Sequence, residues 1–537
     1  MTALLIVVFS IAGIYILFDF KHDLHMFQQN SYRIPRYWKY LRERDIASIW
    51  RMCDIAILFL FFSRLINEAG AALFLGIYCI CKIILIQKRK FKKPLVFTKR
   101  VWRLYAVTAL IFIGLYLWAI FKLGFEKETV AYYSGTILTF GILLLFSILS
   151  WVVLIIADII LMPVEKAINN SFINDAKKIL SQMPDLKVIG ITGSYGKTST
   201  KHYLFSILSE KYDVIMTPGS FNTPMGVVRT IREQMKPYYK IFICEMGAKQ
   251  KGDIKEICDI VHPSIGIVTA VGPMHLDTFK TIENIRETKF ELIDSLPKDG
   301  FAVVNKDFEQ CANRKIINVD YMHYSTHSDS NSDEVVTARD IIYHSNGTDF
   351  KVTVGPDKRE VEFHTNLVGD CNISNLLAAI IVAYHLDLSD DEIKRGVAGI
   401  SQVEHRLSVK KTPTGITIID DAFNSNPYGS KMALEVLAAI NGGKKIVITP
   451  GMIELGDKQY IYNEELGEEI AKRNIDIAII VGEHNREALI KGMLNGGKEK
   501  SSFYEAGNFN EAQTILSSIV KPGDVVLYEN DLPDLFK

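Results

Sequence analysis

The sequence predicts an N-terminal α-helical membrane domain followed by an α/β portion built in two halves. Three observations carry that prediction. Five apolar runs are confined to residues 1–165; short β-rich runs alternate with helical stretches from residue 187 on; and a glycine-containing loop joins the first of those runs to a helix. A chain of 537 residues and 60.7 kDa is too long for a single core. An apolar share of 48% and a mean hydropathy of +0.14 exclude disorder and favour membrane segments. Net charge is zero, so no basic field marks nucleic acid as a partner. The seven cysteines form no CxxC pair, which excludes a zinc motif and a disulfide framework. Cys244 and Cys258 are expected as reduced thiols in the cytosol.

The apolar runs cover residues 4–18, 55–62, 71–86, 104–121 and 134–161. Four are near or above the length that crosses about 30 Å of hydrocarbon. The second needs residues 46–54, with Arg51 and Asp54, to reach a full span. Residues 4–18 lack the basic flank and small-residue cleavage site of a signal peptide, so they read as an anchor. Basic residues then set orientation. The first loop holds Lys21, Arg33, Arg36, Lys39, Arg42 and Arg44, and the third holds Lys88, Arg89, Lys90, Lys92, Lys93, Lys99 and Arg100. The loops 67–70 and 122–133 are close to neutral. This alternation predicts a multi-pass protein of a bacterial plasma membrane, with its N-terminus outside and its catalytic domains in the cytoplasm. Asp158 is expected near the cytoplasmic headgroups. Val164, Ile168, Phe172, Ala176, Ile179 and Leu180 recur at helical spacing and predict an amphipathic connector over 166–186.

Beyond the connector, β-rich runs at 187–192, 214–216, 240–245, 265–269 and 301–305 alternate with helical stretches. Alternation of this kind predicts a parallel sheet with helices on both faces, assigned to a central domain over 187–402. Polar–apolar alternation over 333–363 (Phe350, Val352, Val354; Val361, Phe363) predicts antiparallel excursions. A second series at 416–419, 445–450, 477–481 and 525–528 predicts a C-terminal domain over 403–537.

The strongest local signal is Thr192-Gly-Ser-Tyr-Gly-Lys-Thr198, at the junction of a β-run and a helix. Gly193 and Gly196 allow a tight turn in which backbone amides, with those of Ser194, Tyr195 and Ser199, face phosphate oxygens at a helix N-terminus. Lys197 brings a charge to the β and γ phosphates of ATP, and Thr198 a hydroxyl to Mg²⁺. Glu245 ends a β-run, and a carboxylate at the tip of a parallel strand lies in the ligand crevice, where it can hold Mg²⁺. His275 follows another β-run and is a strand-end candidate of the same kind.

These residues resemble the Mur ligase superfamily. Thr192–Thr198, Phe221-Asn-Thr-Pro-Met-Gly226, Glu245-Met-Gly247, Gly272-Pro-Met-His-Leu-Asp277 and Arg286-Glu-Thr-Lys-Phe-Glu291 are similar to its central ATPase domain. Asp420-Asp-Ala-Phe-Asn-Ser-Asn-Pro427 and Gly451-Met-Ile-Glu-Leu-Gly456 are similar to the Rossmann-like C-terminal domain of the MurF type. The resemblance implies an ATP-dependent amide-bond ligase of peptidoglycan precursor synthesis. ATP phosphorylates a substrate carboxylate, and an amine such as D-alanyl-D-alanine attacks the acyl phosphate. It further implies that Lys197, Glu245, His275 and Lys289 are catalytic. Two Mg²⁺ sites would use Thr198, Glu245, His275 and Lys289, the lysine carbamoylated. Asn372 would meet adenine, Arg406 phosphate, and Asp421 and Asn424 the nucleotide.

The chain departs from the family pattern in three places. Cys371 stands where a His usually precedes the adenine-contacting Asn. The five apolar runs occupy the place of a UDP-binding domain. Glu529-Asn530-Asp531 follows the last β-run where a Lys-Gly-Ser motif is usual. The expected partners are therefore ATP, a lipid bilayer, and a peptide or amino-acid substrate on a UDP- or lipid-linked cell-wall precursor. A ligase of another polymer of the poly-γ-glutamate kind and a non-catalytic membrane scaffold are the alternatives.

Overall fold

Buried parallel strands require apolar side chains on both faces, and the runs that begin the α/β portion meet that demand. The computed structural model describes residues 2–42, 49–62, 68–88, 94–123, 142, 144–327, 335–344, 347–354, 358–403, 405–422 and 425–531. It divides into two units, Met1–Asn170 and Ser171–Leu532.

The first unit is helical, with Thr2–Gln29, Ile34–Tyr40, Ile49–Phe62, Glu68–Lys88, Lys99–Leu123 and the first part of Ser150–Ser181. Its interior is tied by buried ion pairs. Arg51 donates to Asp19 at 2.7 Å, to Asp23 at 3.0 Å and to the carbonyl of Ser147 at 3.0 Å. Asp54 lies 3.1 Å from Lys82 and accepts from the Tyr15 hydroxyl at 3.3 Å. Leu73, Ile77, Trp102, Leu110 and Trp118 are exposed on the outer faces.

The expected membrane domain is not found. Among the described residues, no helix is long and apolar enough to cross a membrane. The apolar runs belong to helices that also carry charges, and those charges are buried against one another within the unit. The Ile49–Phe62 helix has 14 residues, a rise of about 21 Å against roughly 30 Å of hydrocarbon. Asp158 pairs with Arg100 at 3.2 Å. Residues 134–141 and 143 of the fifth run and parts of the loop segments that carry the charge alternation (43–48, 63–67, 89–93 and 124–133) lie outside the described residues. The N-outside topology, the plasma-membrane location and the bilayer as partner rest on those spans alone and fall with them. The expected connector is the second half of the continuous helix Ser150–Ser181, which passes through Pro163. From that half Ala176 is buried, and Phe172, Ile173 and Ile179 pack against the core of the second unit.

The second unit holds two sheets. Strands β1 (Lys187–Thr192), β2 (Val214–Met216), β3 (Ile241–Glu245), β4 (Ile265–Val268), β5 (Phe301–Asn305), β6 (Asp320–Ser325), β7 (Val335–His344), β8 (Gly347–Val354) and β9 (Arg359–Thr365) form a nine-stranded sheet, order β2-β3-β1-β4-β5-β6-β7-β8-β9. Pairing is parallel from β2 through β7, and β7–β8–β9 are antiparallel, as the alternation over 333–363 predicts. The chain reverses direction across the sheet between β1 and β4, the place where such sheets bind ligands. On one face the helix Asp370–His385 is buried along most of its length; on the other lie Asp253–Val261 and Ile282–Asp294.

The second sheet is formed by β10 (Ser408–Lys411), β11 (Thr417–Asp421), β12 (Lys445–Thr449), β13 (Ile477–Val481), β14 (Phe503–Ala506) and β15 (Val525–Glu529), in the order β10-β11-β15-β12-β13-β14. All its pairs are parallel except β10–β11.

Candidate active site

The phosphate loop leaves the C-terminal end of β1 and is laced to the segment after β4. Ser194 donates its backbone N–H to the Ala270 carbonyl at 2.7 Å, and its hydroxyl bridges Gly272 O and N at 3.0 and 3.1 Å. The Thr269 hydroxyl donates to the Tyr195 carbonyl. Ser194 therefore shapes the loop with both its side chain and its backbone N–H, and the phosphate-facing donors fall to the other amides of the loop. Gly196 starts the helix Lys197–Leu208 at φ 78°, and a Cβ there would lie 2.2 Å from Asn375 Oδ1. Gly196→Ala is expected to raise the KM for ATP at least tenfold with little change in secondary structure, measured by phosphate-release kinetics and circular dichroism.

Within the loop, the Lys197 ammonium donates to Gly193 O at 2.7 Å and to Ser194 O at 3.4 Å. Burial, aided by the Arg406 charge and opposed by Glu245, lowers its pKa to about 8. Thr198 is half-buried and Ser199 is buried beside it. The Tyr195 ring stacks on Tyr428, from the helix Pro427–Ala439, with centroids 5.9 Å apart and planes 8° from parallel.

Glu245 ends β3 one strand away and is 1% exposed. Its Oε1 accepts from Asn222 at 2.9 Å, and its Oε2 lies 3.1 Å from Lys201 Nζ without the alignment of a hydrogen bond. Lys201, one turn beyond Lys197 and fully buried, donates instead to Gly219 O at 2.6 Å. Burial alone would raise the Glu245 pKa; Lys201, Lys197 and Asn222 outweigh it and hold the carboxyl below its usual range. Neither Lys201 nor Asn222 is among the residues singled out from the sequence. Asn222 lies in one of the quoted motifs, which is the signal that could have found it.

His275 sits at φ 54° after β4, and its Nδ1 bonds Glu454 of the C-terminal half. Burial holds its ring pKa below the ordinary value, so the imidazole is neutral near pH 7. Lys289 lies on Ile282–Asp294, buried, and no hydrogen bond or ion pair reaches its ammonium among the described residues. Burial, with repulsion from Lys197, brings its pKa down to about 7. Glu291 fixes that helix by accepting from Gly252 N at 2.7 Å and Lys255 N at 3.0 Å, the open N-terminus of Asp253–Val261.

The remaining predicted residues lie where the two halves meet. Asn372 is buried; its Oδ1 accepts from Tyr203 at 2.7 Å and its Nδ2 donates to Val368 O at 2.9 Å. Cys371 before it packs against the C-terminal core, and burial pushes its thiol up to about 12. Arg406 is close enough to Asp421 and Glu245 for both to act on its charge. Asp421 ends β11 and accepts from Leu407 N at 3.1 Å; burial and the Glu529 charge push its pKa up to about 7. Glu529, at the end of β15, accepts from the hydroxyls of Ser430 (2.7 Å), Ser425 and Thr449. Asn424 lies outside the described residues.

Among the described residues, no three His, Cys, Asp or Glu side chains converge as a metal cage. Glu245, with an oxygen that makes no hydrogen bond, still fits Mg²⁺, which is commonly held by one or two carboxylates together with substrate phosphates, and the neutral His275 has a ring nitrogen to add.

Known proteins resemble the chain over both halves of its second unit. Residues 191–383 match the Mur ligase middle domain and residues 405–528 the Mur ligase glutamate ligase domain. A UDP-N-acetylmuramoyl-tripeptide–D-alanyl-D-alanine ligase of Mycobacterium leprae is 30% identical over 364 residues, 64% of this chain and 70% of the relative. The Bacillus subtilis enzyme of the same name is 28% identical over 358 residues, 66% of this chain and 75% of the relative. Among solved structures, MurF from Acinetobacter baumannii aligns with TM-score 0.61 at 25% identity, covering 67% of this chain and 77% of that one. MurF from Thermotoga maritima, in complex with ADP, aligns with TM-score 0.59 at 26% identity, covering 68% and 80%. The chain belongs to the Mur ligase family and is an ATP-dependent ligase of the type that joins an acid to an amino acid or peptide.

Proposed function

We propose that the chain is a MurF-like ligase that couples the terminal carboxylate of a UDP-N-acetylmuramoyl-tripeptide to D-alanyl-D-alanine. What supports the reading is that Lys197, Glu245 and His275 stand at or after the ends of β1, β3 and β4, with Lys289 on the helix Ile282–Asp294 near enough to Lys197 and His275 for their charges to interact. The relatives' names supply the substrates.

A carboxylate oxygen of the tripeptide attacks the γ-phosphorus and ADP leaves, so the acid becomes an acyl phosphate. The amine of D-alanyl-D-alanine then attacks the acyl carbon, and the tetrahedral intermediate collapses to an amide as phosphate departs with the proton that the nitrogen gives up. Lys197 neutralises the β and γ phosphates, beside the loop's backbone amides other than that of Ser194, which is held by Ala270 O. Thr198 and Glu245 would hold one Mg²⁺, and His275 with a carbamate on Lys289 would hold a second; bound there, the ions would supply charge neutralisation at the transferring phosphoryl group. Asn372, fixed by Tyr203 and Val368, keeps one donor and one acceptor position for adenine. Arg406 reaches phosphate, and Asp421 and Asn424 the nucleotide.

Purified protein with ATP and Mg²⁺ is expected to release phosphate only when the tripeptide nucleotide and D-alanyl-D-alanine are both present. Equal release with glycine or glutamate as the amine, or without the nucleotide, would overturn the substrate assignment.

A further inference from the structure

We propose that Glu454 is a positioning residue: from the C-terminal half it orients the His275 imidazole, so that the metal-facing side of the central domain is complete only when the two halves are docked. The inference rests on the reading of His275 as a metal ligand.

The loop that carries Glu454 is built to aim it. Glu454 has φ 62°, a conformation uncommon for a side chain with a Cβ, and glycines at φ 75° (Gly451) and 63° (Gly456) bound the loop. The backbone between is pinned from behind. Met452 N donates to Asn463 at 2.8 Å, and its carbonyl accepts from Asn463 and Asn485, each at 3.0 Å. A Cβ on Gly456 would meet Asp277 and Leu276, directly after His275, at 3.4–3.6 Å, an ordinary contact, so the two segments lie side by side and glycine is favoured there by its φ of 63° and not by lack of space.

One carboxylate then serves two segments of the central domain. Its Oε2 bonds His275 Nδ1 across 179 residues of sequence, and its Oε1 accepts from Lys249 at 3.3 Å. Lys249 follows β3 and His275 follows β4, so Glu454 bridges the outlets of the two strands that flank β1. A carboxylate on Nδ1 selects the tautomer with the proton there and leaves the Nε2 lone pair for a cation, the arrangement in which outer carboxylates orient metal-bound histidines. No hydrogen bond occupies His275 Nε2 among the described residues. Because the contact joins the two halves, cation binding and their docking favour each other reciprocally.

The test uses the full chain with Mn²⁺ and a non-hydrolysable ATP analogue, reading Mn²⁺ occupancy by electron paramagnetic resonance, with melting temperature as the control for folding. Glu454→Ala is expected to weaken Mn²⁺ binding about tenfold. Glu454→Gln is expected to lose less, since an amide oxygen still accepts from Nδ1–H. His275→Ala should lose at least as much as Glu454→Ala. If His275→Ala weakens binding while both Glu454 variants bind Mn²⁺ like the wild type, or lose equally, the inference is overturned and the role of His275 stands. If His275→Ala binds Mn²⁺ unchanged, the ligand assignment fails and this inference with it.

Discussion

Lys197→Ala is expected to lower kcat/KM for ATP by about a thousandfold while leaving the fold intact. Removing one preorganised charge from a site where negative charge develops costs on the order of 10²–10³ in rate, and here the same charge also binds substrate. Its hydrogen bonds go to Gly193 O and Ser194 O within the loop, so no packing elsewhere rests on the ammonium, although its charge acts on Glu245 and Lys289. The effect on stability has the opposite sign. Burial lowers the Lys197 pKa from 10.5 to about 8 in the folded protein. The unfolded chain therefore holds the proton more readily, and the folded chain is disfavoured wherever Lys197 must be charged. That cost is full below about pH 8 and fades as pH rises toward 10.5. In the absence of nucleotide, Lys197→Ala should melt at or above the wild-type temperature at pH 7, and the difference should vanish by about pH 10. Calorimetric melts at the two pH values, with phosphate-release assays, check both halves of the expectation. A folded variant with near-normal turnover would end the assignment of Lys197 to ATP.

The second large effect is expected at Lys289. A lysine with a pKa of about 7 is roughly half neutral at pH 7, where an ordinary lysine is neutral in fewer than one molecule in a thousand. The neutral amine can attack the carbon of CO₂, lose a proton and become an N-carbamate, which turns an unpaired buried cation into an anion suited to Mg²⁺. Lys289→Ala should lose roughly 10²–10³ in kcat, and Lys289→Glu, which restores a carboxylate, should recover about a tenth of wild-type activity. After CO₂ depletion, bicarbonate should reactivate the wild type, faster at pH 8 than at pH 6 because the amine deprotonates between them. Lys289→Glu should not respond to bicarbonate. Full activity in Lys289→Ala, by steady-state assay, would refute the carbamate.

What could be read from the sequence follows from how each element is specified. Strands β1 to β5 lie within a residue of their expected limits, because a strand buried on both faces needs a continuous apolar run with turns at its ends. Strands β6, β10 and β14 have no such signature. Asp320–Ser325 and Phe503–Ala506 mix polar and aromatic residues, and Ser408–Lys411 is a sheet-edge strand with charged side chains; pairing with a neighbour makes each a strand. The same distinction divides the site. The phosphate loop is local and was legible from glycine spacing. The partners of Glu245 and His275 were not, since Lys201, Asn222 and Glu454 meet them through folding and no short window of sequence records the meeting. The first 165 residues resemble membrane spans in sequence because apolar content is local, whereas the pairing of Arg51 with Asp19 and Asp23, and of Lys82 with Asp54, arises only on folding.

The strand order of the second sheet bears on how the protein is made. Strand β15, last among the described strands, lies between β11 and β12 in the middle of its sheet. Until residues 525–529 leave the ribosome, β11 and β12 each present an open edge, and the buried side chains of Val525, Val526 and Leu527 are missing from the core between them. The C-terminal half therefore cannot fold progressively during synthesis, whereas the sheet around β1 can close earlier. Nascent chains with an unfinished second sheet expose strand edges that chaperones and proteases recognise. A stop codon just before Val525 would remove the centre of the second sheet.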